Sequence, residues 1–319
     1  MKRNVFVSLA RFGTVLAFVV VTFGAYVRLT DAGLGCPDWP GCYGQLTVPE
    51  QVDGTGADYG RPLEAGKAWR EMIHRYLAST LGLVCVTLAV LAWRNRRDPE
   101  QPLRVPLVLV GLVIFQGLLG MWTVTLLLKP IVVVAHLLGG LATLSLLFWL
   151  GRFRTVRVPA PPARRALGAA AAALLVTQIA LGGWTSANYA AVACPDFPTC
   201  QTQWWPELAD FGEGFVLWRG IGIDYEGGVL DHPARVAVHF THRLGAVAAA
   251  LALALFGSSL LAERRVRPDA AALLGLLAVQ LGLGVSIVLF GVPLPVAVAH
   301  NGGAALLLLA TINANQRIR

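Results

Sequence analysis

Four of the six histidines lie near the start of long apolar stretches and recur at matching places in the two halves of the chain. They are His74, His136, His242 and His300. Neutral imidazole is a common metal ligand, and ionisable residues within apolar spans are costly, so they indicate function by default. The sequence therefore predicts one pair of imidazoles in each half, within roughly the first two turns of the helices that carry them.

These pairs suit heme better than a bare metal ion. A closed zinc site would be short of ligands, because no carboxylate pair or cysteine cluster lies at the same level. Heme needs only two axial ligands, and its flat ring fits between helices lined with Gly and Leu. A single histidine of this kind is more simply a hydrogen-bonded core or interfacial residue. Four matched ones favour axial ligation, by His74 with His136 and by His242 with His300.

Arg75 and Arg243 directly follow two of these histidines. An arginine at this level can bind heme propionates through charge-assisted hydrogen bonds. It can equally be an interfacial anchor whose charged end reaches water. Both interpretations stay open from the sequence.

The repeat differs three residues before the first histidine of each half, where the first half has Glu71 and the second has His239. Residues three apart share one helical face, so Glu71 lies beside the predicted metal centre and can accept a proton there. We expect the half with Glu71 to do chemistry and the other to support it. The alternatives are a solvated Glu in the first turn of its helix and, in the second half, His239 replacing His242 as ligand.

Two loops share the pattern Cys-Pro-Asp-aromatic-Pro-x-Cys, from Cys36 to Cys42 and from Cys194 to Cys200. We predict a disulfide in each, because the charge distribution places both loops in a compartment where disulfides persist. Each disulfide can hold its loop over the membrane site or act as an exposed redox pair. The fifth cysteine, Cys85, is expected to be a small buried apolar side chain.

The composition is that of a membrane protein: 56% hydrophobic residues, 14% charged residues and a mean hydropathy of +0.62. A spanning helix needs about 20 mostly apolar residues, and eight stretches qualify. They are 9–29, 70–93, 105–127, 131–150, 166–187, 236–262, 270–290 and 294–314. Because helices satisfy their own backbone polar groups, we predict an all-α integral membrane protein with eight transmembrane helices.

The eight spans form two copies of a four-helix unit. An offset of 158 residues aligns Cys36 with Cys194 and Gly24 with Gly182. Since each unit crosses the membrane four times, we expect two four-helix bundles related by a pseudo-twofold axis along the membrane normal. The predicted domains are the N-terminal half, 1–151, a cytoplasmic linker, 152–165, and the C-terminal half, 166–319.

The net charge of +8 does not indicate nucleic-acid binding, because the basic residues cluster on alternate connections, such as Arg94, Arg96 and Arg97. Most acidic residues lie on the other connections. This pattern predicts both termini in the cytoplasm and the cysteine loops on the outer face of a bacterial plasma membrane. The first apolar run also fits a secretory signal, but we expect it to be retained because the fifth span is its counterpart.

Taken together, several features resemble heme A synthase, a membrane enzyme of cytochrome oxidase assembly, over essentially the whole chain. They are Glu71-x-x-His74-Arg75, the matched His136, His242 and His300, the outer cysteine pairs and the duplicated eight-helix layout. The resemblance implies oxidation of the C8 methyl group of heme O to a formyl group, which gives heme A. This chain departs from shorter relatives in its long segment 201–235, whose tryptophans we expect at the membrane interface.

The resemblance also implies roles for the candidate site residues. It assigns heme O to His74 and His136, with Glu71 as the catalytic carboxylate. It places a b-type heme in the second half, between His242 and His300.

The outer cysteines and the partners follow from the same resemblance. Cys36 and Cys42 are candidates for passing electrons or reducing equivalents. The expected partners are membrane lipid, heme O synthase, cytochrome oxidase assembly factors, an electron donor of unknown identity and a second copy of the chain. Two other functions remain from the sequence, a diheme membrane electron carrier linked to quinol and a heme transporter or chaperone.

Overall fold

The computed structural model describes residues 2–51, 60–153 and 155–318, and within these ranges the chain is helical, with isolated bridges but no extended strand. Eight long helices are apolar enough to cross a membrane. They are α1 (Lys2–Leu29), α2 (Ala65–Arg94), α3 (Arg104–Thr125), α4 (Pro130–Arg152), α5 (Pro162–Ala187), α7 (His232–Leu260), α8 (Arg267–Leu289) and α9 (Leu294–Arg317), and a short helix, α6 (Phe211–Gly214), precedes α7. The predicted all-α protein with eight transmembrane helices is therefore confirmed.

Several helices begin about one turn before the apolar stretch that predicted them. The first turn of α7 is polar, but Pro233 suits an N-terminal position and the Asp231 carboxylate accepts a hydrogen bond from the backbone N–H of Ala234 at 3.0 Å. As a result His74 and His242 lie in the third turns of α2 and α7. The expectation that all four histidines lie within the first two turns is wrong for these two, because hydropathy does not detect a polar first turn.

Equivalent connections in the two halves share backbone conformations. The turn after α3 has positive φ at Leu127 and Leu128, and the turn after α8 has it at Gly291 and Val292. Non-glycine residues rarely adopt this conformation unless the surrounding structure holds them. These tight turns bring α4 back against α3 and α9 back against α8, which positions His136 and His300.

The chain forms two compact units. Unit 1 comprises Met1–Gly151 and Trp218–Gly227, and unit 2 comprises Arg152–Leu217 and Gly228–Arg319. The segment Trp218–Gly227, called the strap below, lies in the sequence between α6 and α7 but packs within unit 1. The C-terminal half predicted from the sequence, 166–319, includes the strap.

The strap is held in unit 1 by the buried side chain of Lys129, just before α4. Its ammonium group donates to the carbonyl oxygens of Arg219 (2.6 Å) and Gly220 (2.7 Å) and lies 3.7 Å from the ring centroid of Trp218. Only 2% of Lys129 is exposed. A buried ammonium group is costly unless it is hydrogen-bonded, so these contacts fix the strap firmly.

The other end of the strap contacts unit 1 through charge and apolar packing. Arg61 forms ion pairs with Asp224 and Glu226. Burial opposes the charge on Arg61, but the two carboxylates outweigh it and raise the pKa of the guanidinium. The Tyr225 ring is buried against Leu34, and burial raises the pKa of its phenol.

Unit 2 joins its two chain ends near the predicted linker. The backbone N–H of Val158 donates to the carbonyl of Arg317 at 2.7 Å, and the Arg317 guanidinium forms an ion pair with Asp269 at 3.1 Å. Within the predicted linker, Arg154 lies outside the described residues. The segment between α4 and α5 is therefore tied to the end of α9.

Candidate functional site

His74 on α2 and His136 on α4 meet inside unit 1. Their ring centroids are 6.5 Å apart, and the ring planes make an angle of 73°. Metal–imidazole bonds are about 2 Å long, so rings that bind one iron from opposite sides have centroids roughly 6 Å apart. The Nδ1 atoms of both rings are buried without a hydrogen-bond partner in the described part of the chain. The pair therefore fits the two axial ligands of a heme.

Each of the four histidine rings lies against a glycine of the preceding span. A Cβ atom added to that glycine would come within 2.8 to 3.6 Å of Cε1 of the histidine, so a larger residue would displace most of these rings. The pairs are Gly24 with His74, Gly120 with His136, Gly182 with His242, and Gly284 with His300. The glycines at the aligned positions Gly24 and Gly182 are thus explained by close packing against imidazole.

In unit 2, glutamine side chains contact the histidines. Gln178 Nε2 on α5 lies 3.0 Å from Nδ1 of His242 and donates to the carbonyl oxygen of the same residue at 3.0 Å. Gln280 Nε2 on α8 donates to the His300 carbonyl oxygen at 3.1 Å and lies 3.4 Å from Nε2 of that ring. Nδ1 of His300 is buried and unpartnered among the described groups. Polar groups that orient a ligating histidine are typical of metal sites, so these residues fit a resident heme.

Glu71 is buried, with 5% of the residue exposed, which excludes a solvated carboxylate in the first helical turn. One carboxylate oxygen accepts the backbone N–H of Cys36 at 2.9 Å, and the other accepts the Arg75 guanidinium at 2.5 Å. Glu71 therefore has a fixed position on the side of α2 that faces the cysteine loop.

His239 occupies the same place in unit 2. It is buried, and its Nδ1 accepts the backbone N–H of Cys194 at 3.2 Å. This contact directs its ring to the cysteine loop, whereas His242 lies against Gly182 on α5. The geometry thus favours His242 over His239 as the ligand.

The two arginines brace the cysteine loops. Arg75 donates to the carbonyl oxygens of Asp38 (3.0 Å), Pro40 (3.1 Å) and Gly41. Arg243 does the same in unit 2, where it donates to the carbonyl oxygens of Asp196 (2.8 Å), Thr199 (2.6 Å) and Cys194 (2.7 Å). These bonds do not test the predicted contact of Arg75 and Arg243 with heme propionates, which stays a prediction.

Both predicted disulfides are present, Cys36–Cys42 and Cys194–Cys200, and all four cysteines are buried. Cys85 is free and buried, as expected. Burial shields the sulfur atoms from an external thiol, so exchange at either disulfide requires its loop to open.

Sequence reasoning missed the role of the aspartate inside each loop. Asp38 accepts the backbone N–H groups of Tyr43 (2.6 Å) and Gly44 (2.8 Å), both of which have positive φ. Two consecutive positive φ values define the tight turn that returns the chain after Cys42, and the carboxylate satisfies the amides that this turn exposes. The repeated aspartate in both motifs could have indicated this structural role.

Asp196 makes the same contacts in unit 2, with the backbone N–H groups of Gln201 (2.8 Å) and Thr202 (3.0 Å) and the hydroxyl of Thr199. Partial burial opposes ionisation of this carboxyl group, but the hydrogen bonds outweigh it. The pKa of Asp196 therefore lies below its ordinary value.

Comparisons with known proteins agree with this geometry. The family model described as COX15-CtaA, cytochrome oxidase assembly protein, matches residues 8–312. A heme A synthase of Shewanella oneidensis is 44% identical over 96% of this chain and 94% of its own length. Proteins with the same name from Rhizorhabdus wittichii and Sphingopyxis alaskensis are each 31% identical, over 93% and 95% of this chain and 89% of their own lengths. The resemblance inferred from the sequence is confirmed, and the chain belongs to the COX15-CtaA family of cytochrome oxidase assembly proteins.

Proposed function

We propose that this protein is a heme A synthase, which oxidises the C8 methyl group of heme O to a formyl group. The family match and the names of the relatives support this activity. The observation that carries it in the structure is the imidazole pair of His74 and His136 with a buried carboxylate, Glu71, one helical turn before His74. An electron carrier has no need of such a carboxylate.

Unit 1 is the substrate site. His74 and His136 hold heme O through its iron, and their helices orient the porphyrin. With water as the source of the oxygen atom, conversion of the methyl group to a formyl group releases four protons and four electrons, and the electrons leave to an external electron acceptor. Glu71 accepts a proton in this reaction, since its position is fixed by Cys36 and Arg75.

Unit 2 holds a resident b-type heme between His242 and His300. Such a heme supplies electron storage and transfer when it is bound. The residues of unit 2 favour retention of its heme over oxidation of it. The position aligned with Glu71 holds an imidazole, His239, which accepts a hydrogen bond from the Cys194 amide. In the described part of unit 2, the position aligned with Glu71 therefore carries no carboxylate.

The loop closed by Cys36 and Cys42 positions Glu71. The Cys36 amide binds one of its oxygens, and the loop carbonyls bind Arg75, which in turn binds the other. If this disulfide also passes reducing equivalents, the loop must open first, because both sulfur atoms are buried. Reduction would then release Glu71, so the redox state of the loop would control the position of the carboxylate.

The location proposed for the protein is a bacterial plasma membrane, with both termini cytoplasmic and the disulfide loops outside. The charge distribution and the disulfides support it. Heme O synthase supplies the substrate, the oxidase assembly machinery takes the product, and lipid surrounds the helices. A membrane-impermeant thiol reagent applied to spheroplasts is expected to label Thr47→Cys and not Arg97→Cys; the reverse labelling would overturn this orientation.

The test of the function is Glu71→Gln. Glutamine keeps an oxygen for the Cys36 amide but removes the charge and the proton acceptor. In membranes that also contain a heme O source, extracted pigment is expected to show heme O without heme A, with the b-type signal unchanged. The matched control is Glu64→Gln, which changes an exposed carboxylate at the start of the same helix and is expected to leave heme A production intact. Normal heme A in the Glu71→Gln membranes would refute the proposed role.

A further inference from the structure

Three of the four histidines share an arrangement that we call the glutamine bracket. A glutamine lies one turn before the glycine that faces the histidine ring, and a second glycine lies three residues after the histidine. The three brackets are Gln116, Gly120, His136 and Gly139; Gln178, Gly182, His242 and Gly245; and Gln280, Gly284, His300 and Gly303. Residues four apart share one helical face, so each glutamine and its glycine present a joint surface to the histidine.

The second glycine of each bracket makes room for the glutamine side chain. A Cβ atom at Gly245 would overlap with Oε1 of Gln178, and one at Gly303 would overlap with Oε1 of Gln280. A Cβ atom at Gly139 would overlap with the Gln116 amide in the same way. The glutamine amide therefore fits only because the residue three positions after the histidine is a glycine, which has no side chain.

Hydrogen bonds complete the bracket in unit 2. The amide of Gln178 binds both the ring and the backbone carbonyl of His242, at 3.0 Å each. The amide of Gln280 binds the backbone carbonyl of His300 and lies close to its ring. An amide anchored to the backbone and the ring of one residue restricts rotation of that ring.

His74 is the exception. Val20 stands one turn before Gly24 where the brackets have glutamine, and Leu77 stands three residues after His74 where they have glycine. The ring stacks on Phe23, with centroids 6.4 Å apart. Its Nδ1 is buried without a hydrogen-bond partner within the described ranges, as is Nδ1 of His136 and of His300, so the missing glutamine and glycine are what distinguish His74. Apolar contact alone does not define the orientation of an imidazole as polar contacts do.

We infer that the glutamine bracket holds a histidine ring in a fixed orientation for heme iron and that His74, which has no bracket, is the ligand of the substrate site that releases the iron first. The inference rests on the proposed function, because it assigns heme to both histidine pairs. A substrate heme must enter and its product must leave, so both of its iron–imidazole bonds have to break in every cycle, and the bond to the ring without a bracket is expected to break first. A resident heme needs both ligands locked, and both ligands in unit 2 carry a bracket.

Exchange of the residues between the two halves tests the inference. Val20→Gln with Leu77→Gly installs the bracket at His74, and Gln178→Val with Gly245→Leu removes it from His242. The measured quantities are the rate of heme transfer from purified, heme-loaded protein to a heme-scavenging protein, and the binding of carbon monoxide to the reduced protein, which reports release of an axial ligand. Neither readout requires heme A production.

The expected changes are opposite in the two halves. Loss of a group that orients a metal ligand weakens binding about 10- to 100-fold. Removal of the bracket from His242 is therefore expected to speed loss of the resident heme by about that factor and to admit carbon monoxide. Installation of the bracket at His74 is expected to slow transfer of the substrate heme and to reduce carbon monoxide binding in unit 1.

Two further variants keep the test decisive if Gly245→Leu prevents folding. Gln178→Val alone keeps Gly245 and is expected to destabilise the resident heme. Gln316→Val is the control, since Gln316 is a glutamine of α9 several turns beyond His300 whose side-chain amide atoms are buried. Equal transfer rates in wild type, Gln178→Val and Gln316→Val would overturn the inference. If the variants change heme transfer as expected but the protein never forms heme A, the proposed function is wrong and the inference about the bracket stands.

Discussion

In unit 1 the backbone amide of Cys36 binds a carboxylate, Glu71, whereas in unit 2 the equivalent amide of Cys194 binds an imidazole, His239. The surrounding loop is the same in both units, with a disulfide, an aspartate-capped turn and an arginine that binds loop carbonyls. The difference is thus confined to one side chain in a common frame. A duplicated scaffold can change the chemistry of one copy at this position without a change in the loop that holds it.

The histidines differ between the units in a second way. Both ligands predicted in unit 2 are held by glutamine amides, whereas in unit 1 the ring of His74 stacks on Phe23 and has Val20 at the position where the others have glutamine. Together the two differences support the proposal that unit 1 turns over its heme and unit 2 retains one. Variants that affect one unit and leave the other unchanged test this difference between the units.

The largest effect is expected from loss of a histidine. His242→Ala removes a predicted ligand of the resident heme and is expected to abolish the b-type signal in the reduced spectrum. His136→Ala is expected to keep that signal and to lose binding of heme O, because its heme belongs to unit 1. Spectra and extracted heme content of the two purified variants provide the measurement. Identical spectra in both variants would show that the units do not hold separate hemes.

An intermediate effect is expected from the loop aspartates. Alanine at Asp38 or Asp196 leaves two turn amides without their acceptor, at a cost of about 1 to 3 kcal/mol. The fraction of open loop then rises about 5- to 160-fold, measured as the rate at which a phosphine reduces the buried disulfide. Both variants are expected to open their own loop.

Only the Asp38 variant is expected to lower heme A production, because only its loop holds Glu71 in place. The Asp196 variant serves as the matched control, since it weakens an equivalent loop that holds His239. A similar loss of heme A in both variants would mean that the loops act through general stability and not through Glu71.

The spans and the disulfides were predictable because hydropathy and a repeated cysteine pattern are properties of single stretches of sequence. The contact of Glu71 with Cys36 was not, since it depends on the path of a loop that approaches α2 from 35 residues away. The strap was missed for the same reason. It has no helical or strand periodicity, and the residues that hold it, Lys129 and Arg61, lie far from it in the sequence. The glutamine brackets were only partly visible, because Gln178 has no counterpart in the first half, where Val20 stands at the aligned position.

The smallest effect is expected from pH, and it concerns the loop of unit 2. The folded-state pKa of Asp196 is lowered, so its carboxylate stabilises the loop at all pH values above the unfolded pKa of about 3.9. This contribution is lost as the pH falls through the lowered folded-state value. The reduction rate of Cys194–Cys200 is therefore expected to rise in acid more steeply in wild type than in Asp196→Asn, which has already lost the charge. The ratio of the two rates cancels the pH dependence of the reductant itself. A ratio that stays constant from neutral pH down to about pH 3 would show that the hydrogen bonds of Asp196 do not depend on its charge, and the loop would then be held mainly by Arg243.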